Sequence, residues 1–215
     1  MDGRAKELHA KLGGMLPEGW RDRAPWGFPN QVELGLVAGV FAAQVPQASV
    51  NSVVDTFMRA RPSDFLDDLE NTANAGVEGV VAMLGERWGD TNVLGVPVLR
   101  AAVIHGAAVA LLDLGIRTSN DLRDAYAEAP TRVEKAVYSV RGLGKGTWEA
   151  IAFQCHVRLR PYPNVVAFFS EVLDDPTLNA DRTADLMRKT ARRFAVEERT
   201  LAYAVSEYLA SSQTV

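Results

Sequence analysis

Apolar residues recur at helical spacing along almost the whole chain, and no segment shows the strict alternation that a half-buried strand requires. In "VELGLVAGVFAAQV", Leu34, Val37, Ala38, Phe41 and Val45 follow the helical period. "SVNSVVDTFM" repeats it with Val50, Val53, Val54 and Phe57, and Pro46 separates the two runs. Further helices are expected at roughly 76–87, 97–114, 131–139, 147–159, 164–173, 181–194 and 196–210. Ser63, between Pro62 and Asp64, and Ser119, before Asn120 and Asp121, have the form of N-caps. No Asn-Gly or Asp-Gly pair sits between alternating apolar runs, so hairpin chemistry is missing and an all-α globule follows.

With 215 residues, 47% of them hydrophobic, the chain can bury one sizeable core or two small lobes that share one. Its single cysteine, Cys155, excludes a disulfide framework, a cysteine-ligated zinc site and a four-cysteine iron–sulfur cluster. His105, and His156 beside Cys155, supply no ligand set, so neither metal nor cofactor is expected. The opening "MDGRAKELHAKLGG" lacks the apolar stretch of a secretory signal, and no long apolar run suggests a membrane span. A reducing cytoplasm is the expected location.

Charge is distributed unevenly. The formal net charge is −4, and residues 61–90 hold seven acids against two arginines. Between 130 and 160, Arg132, Lys135, Arg141, Lys145, Arg158 and Arg160 face only Glu134 and Glu149, a local excess of +4. At its centre lies "VRGLGKGTW", which places three glycines, a lysine and a threonine between two helical stretches. A Walker loop would need the lysine directly before Ser or Thr and a strand before it, but Lys145 precedes Gly146 and a helix comes first. What remains is a helix, a tight glycine turn over Gly142 to Gly146, and a second helix beginning at Thr147. Such a turn brings backbone N–H groups and a helix dipole to an anion, which suits the backbone of a nucleic acid. A glycine-rich corner without a ligand has the same local pattern.

In order along the chain, these segments resemble the helix-hairpin-helix DNA glycosylases, the endonuclease III-like superfamily, over roughly residues 31–175. "AAQVPQASVN" is similar to the family segment whose glutamine enters the DNA stack, which implies that role for Gln44. "VLGVPVLRAAVI" resembles its second intercalating loop, with Val96 as the wedge and Arg100 on the helix behind it. "VRGLGKGTWEAI" resembles the hairpin, implying DNA-backbone contacts from Arg141, Gly142, Leu143, Gly144, Lys145, Gly146 and Thr147. Trp148 and Phe153 could line a base pocket, although core packing is the more common role for such aromatics. Asn164 lies eighteen residues after Gly146, where the family carries its essential aspartate.

The resemblance implies a two-lobed fold with a helix-hairpin-helix motif that acts as a monomer on double-stranded DNA, near the nucleoid and off the membrane. It divides the chain into an N-terminal arm packed on the core (1–30), a glycosylase-like core (31–175) and a C-terminal helical pair closing it (176–215). Gly146 stands where lyase-competent members carry a lysine, so no Schiff base can form and the expected activity is monofunctional base removal. Residues 34–50 contain no acid, and no cysteine cluster follows the core. Asn164 withholds the negative charge that an oxocarbenium-like transition state calls for. Glu171 falls on the same helix face but about 10 Å further along the axis. Three accounts of the amide stand: an Asp-to-Asn substitution introduced to trap a complex, a naturally non-catalytic sensor of DNA structure, or a glycosylase with a relocated acid. Repair, restriction of foreign DNA and handling of self-modification are all compatible roles.

Overall fold

The computed structural model describes residues 2–22, 27–61, 65–157 and 163–212. In chain order its helices are α1 (Asp2–Met15), α2 (Val32–Ala42), α3 (Gln47–Ala60), α4 (Leu69–Trp88), α5 (Arg100–Leu112), α6 (Ser119–Glu128), α7 (Pro130–Tyr138), α8 (Lys145–Gln154), α9 (Pro163–Val172), α10 (Ala180–Arg193) and α11 (Glu198–Ser212). A single 3-10 turn covers Trp20–Asp22. The described residues are all-helical apart from one isolated antiparallel bridge between Asn92 and Leu99. No described helix is long and apolar enough to cross a membrane.

Two compact units divide the chain. Gly27–Arg158 forms one, and Met1–Trp26 with Leu159–Val215 forms the other. This division differs from the one read in the sequence, because α9 groups with the terminal helices and not with the hairpin. The terminal unit packs α1, α9, α10 and α11 around Leu8, Leu12, Phe169, Leu201 and Val205, all fully buried. Trp20 meets Phe194 edge-on at 5.2 Å. Helix α1 lies in the segment expected to be an arm; Ala5, Leu8 and Leu12 provide the buried stripe that makes a helix there worthwhile.

The central unit is organised around α2. Every residue from Val32 to Phe41 is buried, and a helix apolar on all faces has to be enclosed by its neighbours. Glycines set how close those neighbours come. A Cβ on Gly39 would lie 2.5 Å from Ile151 Cα and 2.6 Å from its backbone nitrogen, and one on Gly35 would overlap Cys155 Sγ. Helix α8 therefore runs against the bare backbone of α2. The N-terminus of α2 is anchored by Asp67, whose Oδ1 accepts the Val32 N–H at 2.8 Å and the Ser119 N–H at 2.9 Å. Beside it Glu33 is almost fully buried, accepting from Thr72 Oγ1 at 2.7 Å and from Arg61 at 3.1 Å. Burial pushes the Glu33 carboxyl above its ordinary range, against the pull of both donors.

Several helix ends differ from expectation, each for a local reason. Thr118, not Ser119, caps α6: it forms a capping box with Asp121, while the buried Ser119 hydroxyl donates to Asp67. The cap expected at Ser63 falls outside the described residues. In α4 the backbone leaves helical geometry at Gly76 (φ 67) and Gly85 (φ 73), so the regular helix expected from 76 begins after the first break. Helix α8 starts two residues before Thr147 and stops at Gln154, not near 159. His156 there adopts φ 57, and the Val157 N–H reaches back to Ala152 O at 2.8 Å. That is a Schellman-type stop without the usual glycine, which is why the sequence did not announce it.

The α2–α8 contact predicts a contrast between two glycines. Gly39→Ala has no room and should lower stability by about 1–3 kcal/mol or more, the range for overpacking a tight core. Gly14→Ala, where an added Cβ meets nothing within 4 Å, should be neutral or stabilise by up to about 1 kcal/mol. Urea denaturation of both variants measures this; equal midpoints would contradict the close approach.

Candidate functional site

Between α7 and α8 the chain reverses in six residues. Leu143 points inward, 4% exposed, and its N–H bonds Val140 O at 3.0 Å. Gly142 has φ 92, and a Cβ there would sit 3.0 Å from Val103 Cγ2, 3.5 Å from Val93 Cγ2 and 3.6 Å from Val98 Cγ1. Only glycine meets both requirements, positive φ and close packing. Gly144 then takes an extended conformation as the N-cap of α8, and the first helical bond runs from Trp148 N to Gly144 O at 3.0 Å.

No side chain caps α8, and the N–H groups of Lys145, Gly146 and Thr147 have no acceptor among the described residues. A Cβ added to Gly144 or Gly146 would meet nothing within 4 Å. Lys145 and Gly146 are exposed while Thr147 is buried, so the helix presents the first two backbone donors and its positive dipole end to an open surface, an arrangement that favours an anion. Arg141 and Lys145 are exposed beside it, as are Arg132 and Lys135 on α7, and none of the four forms an ion pair with a described residue. Arg158 and Arg160, the other two cations of the basic cluster, lie outside the described residues.

The contacts of Gly142 lead directly to the second element. Residues 92–99 fold back on themselves, closed by the Asn92–Leu99 bridge and by bonds from Val93 N to Val98 O (2.9 Å) and Arg100 N to Thr91 O (2.9 Å). Helix α5 begins only at Arg100, and so the helix expected from 97 is shortened by this loop. At the tip Gly95 adopts φ 76, and Leu94 beside it is 77% exposed. Val96, expected to be the wedge, is half-buried and packs on the core. The exposed aliphatic of the tip is Leu94, a residue that sequence reasoning passed over; its position just before a turn glycine in "NVLGVP" was the available signal.

Gln44 follows α2 and reaches into this loop. Its Oε1 accepts from Leu94 N at 2.8 Å and from Arg100 Nη2 at 3.0 Å. Arg100 is only 8% exposed, has no carboxylate partner among the described residues, and leaves its Nε unbonded. Its guanidinium lies 5.0 Å from the centroid of Phe41, which in turn meets Trp88 edge-on. Burial lowers the Arg100 pKa from its ordinary value, though a guanidinium so placed remains a cation at neutral pH.

The other expected site residues fall elsewhere. Trp148 is 1% exposed, 5.8 Å from the Tyr126 ring, and belongs to the core. Phe153 is half-buried on the same helix. Cys155 is fully buried, and burial pushes its thiol up to about 12, so it is no nucleophile at neutral pH. Asn164 stands at the start of α9, exposed, its Oδ1 accepting the Val165 N–H at 3.0 Å. It belongs to the terminal unit, whereas Gln44, Leu94, Arg100 and the α7–α8 turn all belong to the central one. Among the described residues no group of three or more His, Cys, Asp or Glu could hold a metal ion.

A family model matches over residues 7–210 and thus spans both units. The chain belongs to that family, described as a domain of unknown function, DUF8548. No curated protein and no solved structure matches it.

The Gln44 bonds predict unequal costs for two neighbouring truncations. Gln44→Ala removes the acceptor for a buried arginine and a loop N–H, and should destabilise by about 1–3 kcal/mol, the cost of leaving such donors unmet. Leu94→Ala removes a side chain that is mostly in water already and should stay within about 0.5 kcal/mol of the parent. Denaturant midpoints compare the two, and a neutral Gln44→Ala would mean that the loop does not depend on this amide.

Proposed function

We propose that this DUF8548 protein binds duplex DNA in the manner of the helix-hairpin-helix glycosylases it resembles. In this reading the α8 N-terminus, with Arg141 and Lys145, grips phosphates, and the loop bearing Leu94 and Gln44 fills the space left by an extruded nucleotide. The observation that carries it is the packing of Gly142 on Val93 and Val98. This packing makes an uncapped, basic helix terminus and an exposed aliphatic tip neighbours on one unit. A phosphate clamp positions the protein without reading sequence, and a wedge offsets part of the few kcal/mol that extrusion costs.

The chemistry is hydrolysis of the N-glycosidic bond by a monofunctional route, with position 164 as the electrostatic stabiliser. The resemblance gives that position an aspartate whose charge stabilises the oxocarbenium ion and which orients water; the asparagine present supplies no charge. One such stabiliser is commonly worth about 2.7–4 kcal/mol, or about 10²–10³ in rate. The chain as it stands is therefore a binder with very slow chemistry. A second reading, a non-catalytic sensor of DNA structure, keeps the same interface. One observation favours it: the Asn164 carbonyl is already engaged locally, by the N–H of the adjacent Val165.

Two outcomes are expected. Duplex affinity should fall steeply with salt, with a slope of about −0.9 in log K per phosphate neutralised, and Lys145→Glu should weaken all duplexes alike while reducing that slope. If Lys145→Glu left affinity intact, the clamp would be misassigned. Asn164→Asp should release a base from at least one member of a panel of damaged, mismatched and unmodified duplexes, leaving abasic sites without strand cleavage. Borohydride trapping should stay negative, because Gly146 offers no amine. Binding with no base released from any substrate would favour the sensor.

A further inference from the structure

Gln44 and Arg100 form a device whose consequence reaches beyond holding a loop. Both groups that meet Gln44 Oε1 are obligate donors: a backbone N–H from Leu94 and a guanidinium N–H from Arg100. A flipped carboxamide would turn its own N–H₂ against them, so the orientation is chemically determined. Arg100 in turn is tethered at its origin by its N–H bond to Thr91 O, and it has no carboxylate among the described residues to draw it away. Its guanidinium is aimed at one acceptor, the Gln44 oxygen. The Gln44 Nε2 carries two donors and has no acceptor among the described residues, next to the exposed Leu94 tip.

An unrestrained glutamine can pair with a base edge in bidentate fashion, one N–H donated and one lone pair accepting. With its oxygen occupied twice, Gln44 offers donors only. On the Watson–Crick edges, adenine sets one acceptor beside an amino donor, guanine sets O6 beside N1–H, and thymine separates its two carbonyls by N3–H. Cytosine alone has two adjacent acceptors, N3 and O2. We infer that Arg100 is a positioning residue that holds Gln44 as a donor-only probe, selecting cytosine as the base opposite an extruded nucleotide. The inference rests on the DNA-binding reading above and narrows it to nucleotides that face cytosine.

The test is equilibrium binding of the full chain, with Asn164 retained, to four duplexes carrying a tetrahydrofuran abasic analogue opposite C, T, G or A. Cytosine should give the tightest complex, by about threefold to tenfold, the size of effect expected from one or two net hydrogen bonds. Arg100→Met, which fills similar volume without donors, should flatten the order of the four partners. Gln44→Glu keeps an oxygen for Leu94 and Arg100, so the loop should stay folded even if Arg100→Met does not. It turns the outward group into an acceptor and should move cytosine from the most to the least favoured partner. An unchanged partner order in Gln44→Glu, or binding without partner preference in the parent, overturns the inference while leaving DNA binding in place. No binding to any of the four duplexes overturns the DNA-binding reading as well.

Discussion

The approach of α8 to α2 is the constraint on which the rest of the central unit depends. Two glycines one helical turn apart, Gly35 and Gly39, leave α2 bare on the side that α8 crosses, and Ile151 and Cys155 occupy the space where their side chains would be. Because α2 is buried all round, it cannot shift to accommodate a change there. Helix α8 is thereby fixed along its length, and its N-terminus projects from a rigid base, not from a mobile loop. The same close fit recurs at Gly106, whose missing Cβ makes room for Val140 at the start of the turn. For the proposed anion contact through backbone donors this would be an advantage, since the donors are held in place beforehand.

The electrostatics follow the same plan. A chain of net charge −4 is a poor general binder of polyanions, and its acids concentrate in 61–90, where many serve structure. Asp67 ties α2 to α6, and Asp68 pairs with Arg117, which holds its carboxyl below the ordinary range. The cations around the α7–α8 turn have no such partners among the described residues and remain available. Arg100 is the exception. It is buried beneath the tip, and its charge serves one neutral amide, an arrangement that costs desolvation and contributes orientation.

How much of this was legible depended on whether a feature is local. Helical periodicity gave the fold class and most helices because buried stripes repeat along each segment, as in α3 with Val50, Val53, Val54 and Phe57. The glycine turn is local too, although α8 takes in Lys145 and Gly146, which the glycine pattern assigns to the turn. Ends decided by distant partners were not: Ser119 looked like a cap, but Asp67, fifty-two residues away, takes both its N–H and its hydroxyl. The resemblance points to Val96 in the 92–99 loop, but no local pattern tells which of the two aliphatics beside Gly95 turns inward: Val96 packs on the core and Leu94 stays outside. The Gln44–Arg100 contact joins residues fifty-six apart, and no local pattern encodes it.

Position 164 shows where folding stops dictating sequence. Helix α9 is held by Val165, Phe168 and Phe169, all buried, while Asn164 is exposed and contributes one bond to the next backbone N–H. An aspartate would accept that bond as well, and its negative charge at a helix N-terminus would be mildly stabilising. Stability alone therefore gives no reason to prefer the amide over the acid. The choice acts at an exposed site, where it exchanges a neutral amide with two N–H donors for a charged group that only accepts. On the proposed reading, that exchange would govern glycosidic chemistry and leave untouched the central unit, where α8, Leu94 and Gln44 would carry the grip on DNA.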